Sequence, residues 1–112
     1  MPIEDFSRKH YARFTNGVVC IDDVQAFTWS KLKPNDEVLL PAICWSTSLW
    51  PIVQSGLKVK FVDIDLKTLN IDINDLKKKI TKKTKALMLV HAMGNCADMY
   101  EIVKICKMNN II

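Results

Sequence analysis

The feature that most constrains the fold of this chain is the alternation of short apolar runs with helix-like segments from residue 36 onward. Three runs, at residues 37–43, 58–63 and 85–91, have the length and the Val, Ile, Leu and Phe content of strands. The third is apolar on both faces in its middle, which is typical of a parallel strand covered on two sides. Strands separated by helices form parallel sheets through right-handed crossovers. The alternation therefore predicts a three-layer α/β/α fold with a mainly parallel sheet.

The first helix-like segment follows the first strand and is predicted over residues 49–55. Ser48 is a suitable N-cap residue for it, and Gly56 is a suitable stop. Pro51 would then lie in the first turn, where its missing N–H costs no hydrogen bond.

Two further helices are predicted later in the chain. One opens at Asp72, whose side chain can accept a hydrogen bond from a first-turn N–H, and Asp75 favours the positive end of the helix dipole. The other spans residues 97–108, with Asn109 and Asn110 at its end. Its buried face is predicted to carry Met99, Ile102, Val103 and Cys106. The final pair, Ile111 and Ile112, predicts the opening of a fourth strand.

The composition excludes several classes of protein. A chain of 112 residues with 49% hydrophobic and 25% charged residues is ordinary for a globular domain. Its first ten residues are charged and contain no apolar core, so they do not predict a signal peptide. No apolar run approaches the ~20 residues that cross a bilayer. We therefore expect a cytoplasmic protein that does not bind membranes.

Cysteine spacing and net charge also limit the function. The cysteines form no C-x-x-C pair and match no zinc spacing, so we expect no metal site and free thiols: Cys20, Cys44, Cys96 and Cys106. The net charge is +4, and part of the excess is a lysine cluster between residues 77 and 85. This cluster could bind nucleic acid, but no arginine or aromatic residue is interleaved with it. We interpret it as the solvated face of a helix and the following turn, and expect no nucleic-acid partner.

Polar and aromatic residues follow each predicted strand. The segments are CWSTS at residues 44–48, DIDLK at 63–67 and HAMGN at 91–95. In parallel α/β sheets, ligands bind beyond the carboxyl ends of the strands. The sequence therefore predicts a ligand site that includes these segments.

Motifs across residues 33–112 give a more specific indication. They are K-P-x-D-E-V-x-x-P, CWST, G-x-x-x-x-F-V-D-I-D, T-L-N-I-D, T-K-K-T-K-A and V-H-x-x-G-N-x-A-D-M, in that order. In their order and spacing the chain resembles part of the large domain of the DegT/DnrJ/StrS sugar aminotransferases. These are fold-type I enzymes that use pyridoxal phosphate on nucleotide-linked keto sugars. The resemblance divides the chain into residues 1–35, which match the family poorly, and residues 36–112, a partial large domain that is truncated at its C-terminus.

The resemblance also implies roles for individual residues. Trp45 would stack on the pyridine ring of the cofactor, and Thr47 would donate a hydrogen bond to a cofactor or substrate oxygen. The alternatives are a core tryptophan and a helix-capping threonine. His91, in the family's His-x-x-Gly, would lie near the substrate, with a purely structural histidine as the alternative. Gly17 and Val18 would belong to the phosphate-binding turn N/S-G-T/S, although Val18 lacks the hydroxyl group. Alternatively, GVVC at residues 17–20 matches the strand before that turn, and the turn itself is lost.

The implied reaction is transfer of an amino group from an amino acid, usually glutamate, to a keto sugar by a homodimer. A related sugar 3-dehydratase is the alternative, because WSTSxxPIVQSG and HxxGN are similar to that branch. In the family the Schiff-base lysine and the carboxylate that pairs with the pyridine nitrogen lie beyond the position of Ile112. We therefore predict no catalytic residue in this chain and no transamination by it alone. A non-catalytic remnant or interaction module is the remaining alternative.

Overall fold

The computed structural model describes residues 32–112, in which three parallel strands alternate with helices. The strands are β1 (Glu37–Pro41), β2 (Lys58–Val62) and β3 (Thr84–Leu87), and they lie in the order β2-β1-β3. The helices are α1 (Ser46–Gln54), α2 (Ile73–Lys79) and α3 (Met99–Met108), and a tight turn at Ala92–Gly94 lies between β3 and α3. Both strand pairs are parallel, as predicted.

The central strand β1 contributes to a core on each face of the sheet. Val38 and Leu40 pack in one cluster with Ile52 of α1. Leu39 points to the other face, where it packs in a cluster with Leu76 of α2 and with residues of α3. All five are fully buried apolar side chains of the kind that stabilises a domain through the hydrophobic effect. The three layers of the predicted α/β/α fold are therefore α1, the sheet, and the pair α2 and α3.

A further backbone segment begins to pair beside β3. The Ile112 N–H donates to the carbonyl of Lys85 at 3.0 Å, and the Leu87 N–H donates to the Ile112 carbonyl at 2.9 Å. One residue that bonds two residues of its neighbour in this way is the pattern of a parallel ladder. The predicted opening of a fourth strand at Ile112 is confirmed.

The start of α1 differs from the prediction. The helix begins at Ser46 with Trp45 in the N-cap position, and the Ser48 N–H donates to the Trp45 carbonyl at 2.9 Å. Ser48 is therefore inside the helix and is not its N-cap. Pro51 lies in the middle of α1 and not in its first turn. Because proline has no N–H, it cannot donate the α-helical hydrogen bond that the Thr47 carbonyl would accept.

The end of α1 is as predicted. Gly56 has a positive φ of 73°, and its N–H donates to the Val53 carbonyl at 3.0 Å. The Leu57 N–H donates to the Ile52 carbonyl at 3.2 Å. These two bonds form a Schellman motif, in which glycine is favoured because it adopts the left-handed conformation without strain.

Both later helices are capped by aspartate. The Asp72 carboxylate accepts from the Asp75 N–H at 2.7 Å, as predicted for α2. In α3 the Asp98 carboxylate accepts from the Glu101 N–H at 3.2 Å, so the helix begins two residues after the predicted start at residue 97. The end is confirmed, since Asn109 occupies the C-cap and Asn110 has a positive φ of 52°.

The predicted buried face of α3 is partly wrong. Ile102 and Ile105 are the buried residues, whereas Met99 and Val103 are each 39% exposed. The difference is a small rotation of the helix about its axis, which brings Ile105 into the core shared with α2 and β1. The sequence did not reveal this rotation because several neighbouring faces of α3 carry apolar residues.

The lysine cluster lies on α2 and the turn that leads to β3, at the surface of the described region. The Glu37 N–H donates to the Lys83 carbonyl at 3.0 Å, which places that turn at the amino end of β1. Among residues 32–112, no helix has the length and apolar character needed to cross a membrane.

Candidate functional site

The carboxyl ends of the three strands meet at one edge of the sheet, because all three run in the same direction. Residues 42–45 follow β1, residues 63–72 follow β2 and residues 88–98 follow β3. The Ala42 N–H donates to the Val62 carbonyl at 2.8 Å, which keeps the first of these segments beside the end of β2. Trp45 and His91 lie in the segments that follow β1 and β3 at this carboxyl edge, and Thr47 lies in the first turn of α1.

Trp45 lies at this edge with its side chain in solvent. Its backbone is extended, with φ −74° and ψ 144°, and it occupies the N-cap position of α1. The residue is 76% exposed, so it is not the core tryptophan of the alternative interpretation. Exposing an indole costs hydrophobic free energy, and an aromatic ring can recover it by stacking on another flat ring. The geometry is compatible with a stacking role.

Thr47 lies in the first turn of α1, beside Ser46, and both residues are exposed. The N-terminus of a helix carries a partial positive charge from its free N–H groups. This turn contains no acidic side chain, and Trp45 makes no side-chain capping bond to it. The start of α1 therefore offers hydroxyl groups and a positive field to an oxygen atom of a ligand.

Cys44 precedes the tryptophan at the same edge. Partial burial raises the pKa of its thiol above the ordinary value. The thiol is therefore protonated at neutral pH, and it is a poor nucleophile because the thiolate is the reactive form. Among residues 32–112, no group of three or more His, Cys, Asp or Glu side chains is arranged to hold a metal ion.

His91 lies in the segment after β3 and is exposed. Its Nδ1 accepts a hydrogen bond from the Ala97 N–H at 3.0 Å. An accepting Nδ1 carries no proton, so the neutral ring carries its proton on Nε2. His91 thus makes a structural bond through one nitrogen and carries a donor on the other, and its place near a substrate stays a prediction.

The turn between His91 and Ala97 has an uncommon backbone. The Asn95 N–H donates to the Ala92 carbonyl at 2.8 Å, and the two residues between them have positive φ angles. These are 53° for Met93 and 75° for Gly94. Positive φ at both central positions is characteristic of a type I′ turn. Gly94, the glycine of the His-x-x-Gly motif, occupies the second central position of this turn.

Asn70 is a residue of this edge that the sequence analysis did not identify. It is 5% exposed, its Oδ1 accepts from the Ala92 N–H at 2.8 Å, and its Nδ2 donates to the Asn95 carbonyl at 3.1 Å. The available signal was a polar residue between the apolar Leu69 and Ile71. That signal shows that the residue is unusual, but not which loop it contacts.

Other predicted residues lie elsewhere. Gly17 and Val18 lie outside the described residues, so their place in a phosphate-binding turn stays a prediction. A groove of about 420 Å³ runs between α2 and α3 and is lined by side chains that include Lys77, Glu101 and Lys104. It is formed by the outer helices of one layer and does not include the strand-end residues. We therefore place the candidate site at the carboxyl edge, because the exposed indole, hydroxyl and imidazole groups described above lie there.

Comparison with known proteins places this geometry in context. Residues 6–112 match the model of the DegT/DnrJ/EryC1/StrS aminotransferase family. A GDP-4-keto-6-deoxy-D-mannose 3-dehydratase of Escherichia coli O55:H7 is 50% identical over 82 residues, which are 73% of this chain and 21% of that protein. A GDP-perosamine synthase of Escherichia coli O157:H7 is 38% identical over 80 residues, 71% of this chain and 22% of that protein.

A solved structure shares the fold as well as the sequence. It is the E. coli GDP-4-keto-6-deoxy-D-mannose-3-dehydratase with bound hydrated PLP, with a TM-score of 0.73 and 38% identity. The match covers 97% of this chain and 31% of the solved chain. The chain thus spans about a fifth of the length of the curated relatives and about a third of the solved chain.

Proposed function

The chain belongs to the DegT/DnrJ/EryC1/StrS aminotransferase family, and we propose that it is part of a pyridoxal-phosphate-dependent enzyme that acts on a nucleotide-linked keto sugar. The relatives named above act on GDP-linked sugars according to their names, and one of them is solved with bound hydrated PLP. The fold is that of part of the large domain of fold-type I enzymes. When bound, pyridoxal phosphate serves as an electron sink that stabilises negative charge developing on the substrate.

The observation that carries the proposal is the exposed indole of Trp45 at the carboxyl edge of a parallel sheet. A cofactor with a flat aromatic ring and a phosphate group fits the chemistry of this edge. Trp45 would hold the ring by stacking, and Thr47 would donate a hydrogen bond to an oxygen of the cofactor or the sugar. His91 would lie close to the sugar, and Gly17 and Val18 would contact the phosphate.

A specific observation favours 3-dehydration over amino transfer. The chain is more similar to the dehydratase than to the perosamine synthase, at 50% and 38% identity over segments of nearly equal length. The sequence motifs by themselves favour amino transfer, with dehydration as the alternative. We now propose the reverse order, with amino transfer from an amino-acid donor as the second candidate. For the whole protein we propose a homodimer in the cytoplasm.

The stacking role can be tested in a chimera in which residues 36–112 replace the matching segment of the E. coli dehydratase. We expect the chimera to keep pyridoxal phosphate through dialysis, as measured by absorbance. Trp45→Ala should weaken cofactor binding about three- to tenfold, because a stacked aromatic pair contributes about 0.5–1.5 kcal/mol. Trp50→Ala is the matched control, since Trp50 is also exposed but lies inside α1. Equal cofactor affinity in both variants would remove the stacking role.

The choice between the two reactions needs a second scaffold. A second chimera carries residues 36–112 in the GDP-perosamine synthase. We expect it to keep a smaller fraction of the synthase's turnover than the first chimera keeps of the dehydratase's turnover. A larger share in the synthase would support amino transfer. Folded chimeras that hold no cofactor in either scaffold would support the non-catalytic alternative.

A further inference from the structure

Asn70 connects two loops of the carboxyl edge through one buried carboxamide. The loop between β2 and α2 contains Asn70, and the loop between β3 and α3 contains the turn from Ala92 to Asn95. The Asn70 side chain bonds the Ala92 N–H and the Asn95 carbonyl. The turn's internal bond uses the other two groups, the Ala92 carbonyl and the Asn95 N–H. One side chain therefore bonds the two backbone groups of Ala92 and Asn95 that the turn's own hydrogen bond does not use.

The first of these loops holds Asn70 firmly in place. The Asp65 N–H donates to the Asn70 carbonyl at 2.8 Å, and the Asn70 N–H donates to the Thr68 hydroxyl at 3.3 Å. Next to these bonds, Ile64 and Ile71 form an antiparallel bridge and are both buried. The backbone at Asn70 is thus fixed by bonds that do not involve the second loop. It can act as an anchor for that loop.

The second loop needs such an anchor. Met93 has a positive φ of 53°, which is disfavoured for a residue with a side chain, and it is 91% exposed. Burial of Met93 therefore does not hold the turn in its conformation. At the end of the loop the Ala97 N–H bonds to Nδ1 of His91. The approach of these two groups depends on the turn between them, and the turn depends on Asn70.

The consequence for His91 is chemical. As long as Nδ1 accepts the Ala97 N–H, the neutral ring keeps its proton on Nε2 and is a hydrogen-bond donor there. We propose that Asn70 is a positioning residue that holds the His91 loop and so keeps His91 as an Nε2–H donor to an oxygen atom of the ligand at this edge. Donation from His91 to a ligand rests on the proposed function. The position of the ring proton on Nε2 does not, because the Ala97 N–H fixes it before any ligand binds.

The test uses the full 112-residue chain labelled with ¹⁵N at histidine and at the backbone. Nitrogen NMR shows which ring nitrogen of His91 carries the proton, and amide exchange reports the protection of Ala92 and Ala97. His10, the other histidine, is assigned with a His10→Gln variant. In the wild type we expect Nε2 protonated and both amides protected. In Asn70→Ala we expect averaged ring signals and roughly tenfold faster exchange at both amides.

Two further variants separate positioning from general loss of stability. Asn109→Ala also removes a side-chain amide that donates to a carbonyl, but at the end of α3, and it should leave His91 unchanged. In Asn70→Asp a carboxylate oxygen can still accept from Ala92, but it faces the Asn95 carbonyl without a proton. In Asn70→Asp we therefore expect the Ala92 amide to stay protected from exchange. The Ala97 amide should exchange faster and the His91 ring signals should be averaged, as in Asn70→Ala. The Met88 amide, which bonds Leu39, reports global opening.

Unchanged His91 ring signals in both Asn70 variants would overturn the proposal. So would an Asn109→Ala effect of the same size, or a loss of protection at Met88 that accounts for the loss at Ala97. These measurements involve no cofactor. Failure of the pyridoxal phosphate proposal would leave them unaffected, and the two results can be distinguished.

Discussion

At the scale of single residues, the cysteines differ in how far they are buried and therefore in how readily they react. Cys44 and Cys106 are partly buried, and burial raises the pKa of both thiols above the ordinary value of about 9. Cys96 is exposed. A raised thiol pKa lowers the thiolate fraction at a given pH, so it slows alkylation until the pH approaches the raised value.

We predict that iodoacetamide at about pH 8 modifies Cys96 well before Cys44 and Cys106. Peptide mapping by mass spectrometry measures each site, and the chain unfolded in urea is the control in which the sites should react at similar rates. Raising the pH should reduce the difference in alkylation rate, because the partly buried thiols of Cys44 and Cys106 ionise at higher pH. Faster modification of Cys106 than of Cys96 in the folded chain would contradict the burial described here.

The edge residues show how far sequence reasoning reaches at this scale. The placement of Trp45 and His91 at strand ends could be predicted, because it depends on the local order of strand, loop and helix. The contacts of Asn70 could not be predicted, since its partners Ala92 and Asn95 lie more than twenty residues away in the sequence. Such pairs are set by tertiary structure, and a single sequence does not contain them.

At the scale of secondary-structure elements, the helix starts depend on single capping side chains. Asp72 accepts from the third residue of α2 at 2.7 Å, whereas Asp98 makes a longer bond of 3.2 Å at the start of α3. Asp75 also accepts from the Asp63 N–H at 2.8 Å, which ties the start of α2 to the end of β2. The cap of α2 therefore supports a connection between two layers of the fold.

We predict that Asp72→Ala lowers the free energy of unfolding by about 1–2 kcal/mol, since it removes the cap and loosens this connection. Asp98→Ala should cost less, about 0.5–1 kcal/mol. Urea unfolding followed by circular dichroism measures both. Asp72→Asn is the matched control, because its side-chain oxygen can still accept the bond, and it should stay close to the wild type. A larger loss for Asp98→Ala would contradict this ranking of the two caps.

Element boundaries were predicted well at Gly56 and Asp72, and less well at the starts of α1 and α3, although Asp98 caps α3. Gly56 and Asp72 mark the end of α1 and the start of α2, and both were identified from the sequence. The start of α1 was placed too late, because Pro51 suggested a first turn and Trp45 is not a typical N-cap residue. In the structure the helix tolerates Pro51 in its middle at the expense of one hydrogen bond.

At the scale of the whole molecule, β2 is one edge of the sheet within residues 32–112, where it pairs only with β1. An edge strand offers unpaired backbone groups to other chains, and lysine is a common protection against this. β2 carries Lys58 and Lys60, and Lys60 lies 3.6 Å from the Glu37 carboxylate. Lys60 therefore forms an ion pair with β1 and also opposes pairing of this edge with another chain.

We predict that Lys60→Val increases self-association, because it leaves an apolar edge with high β propensity. Analytical ultracentrifugation over a range of concentrations measures the effect. The accompanying change in stability should be within about 1 kcal/mol, as expected for a partly exposed ion pair. Lys77→Val on the surface of α2 is the control and should not promote association. Equal association in both variants would show that net charge, and not the edge, is responsible.

The burial of residues 38–41 of β1 has a consequence for how the strand is aligned with its neighbours. Val38, Leu39 and Leu40 are all apolar, so a shift of the strand by one residue would exchange one core for the other with little change in hydrophobicity. Interactions at the ends of the strand must therefore select the native pairing over the shifted ones. Glu37 supplies such interactions at one end, through its ion pair with Lys60 and the hydrogen bond that it accepts from Thr81. The most uniform strand of the molecule is thus aligned by polar groups outside its core.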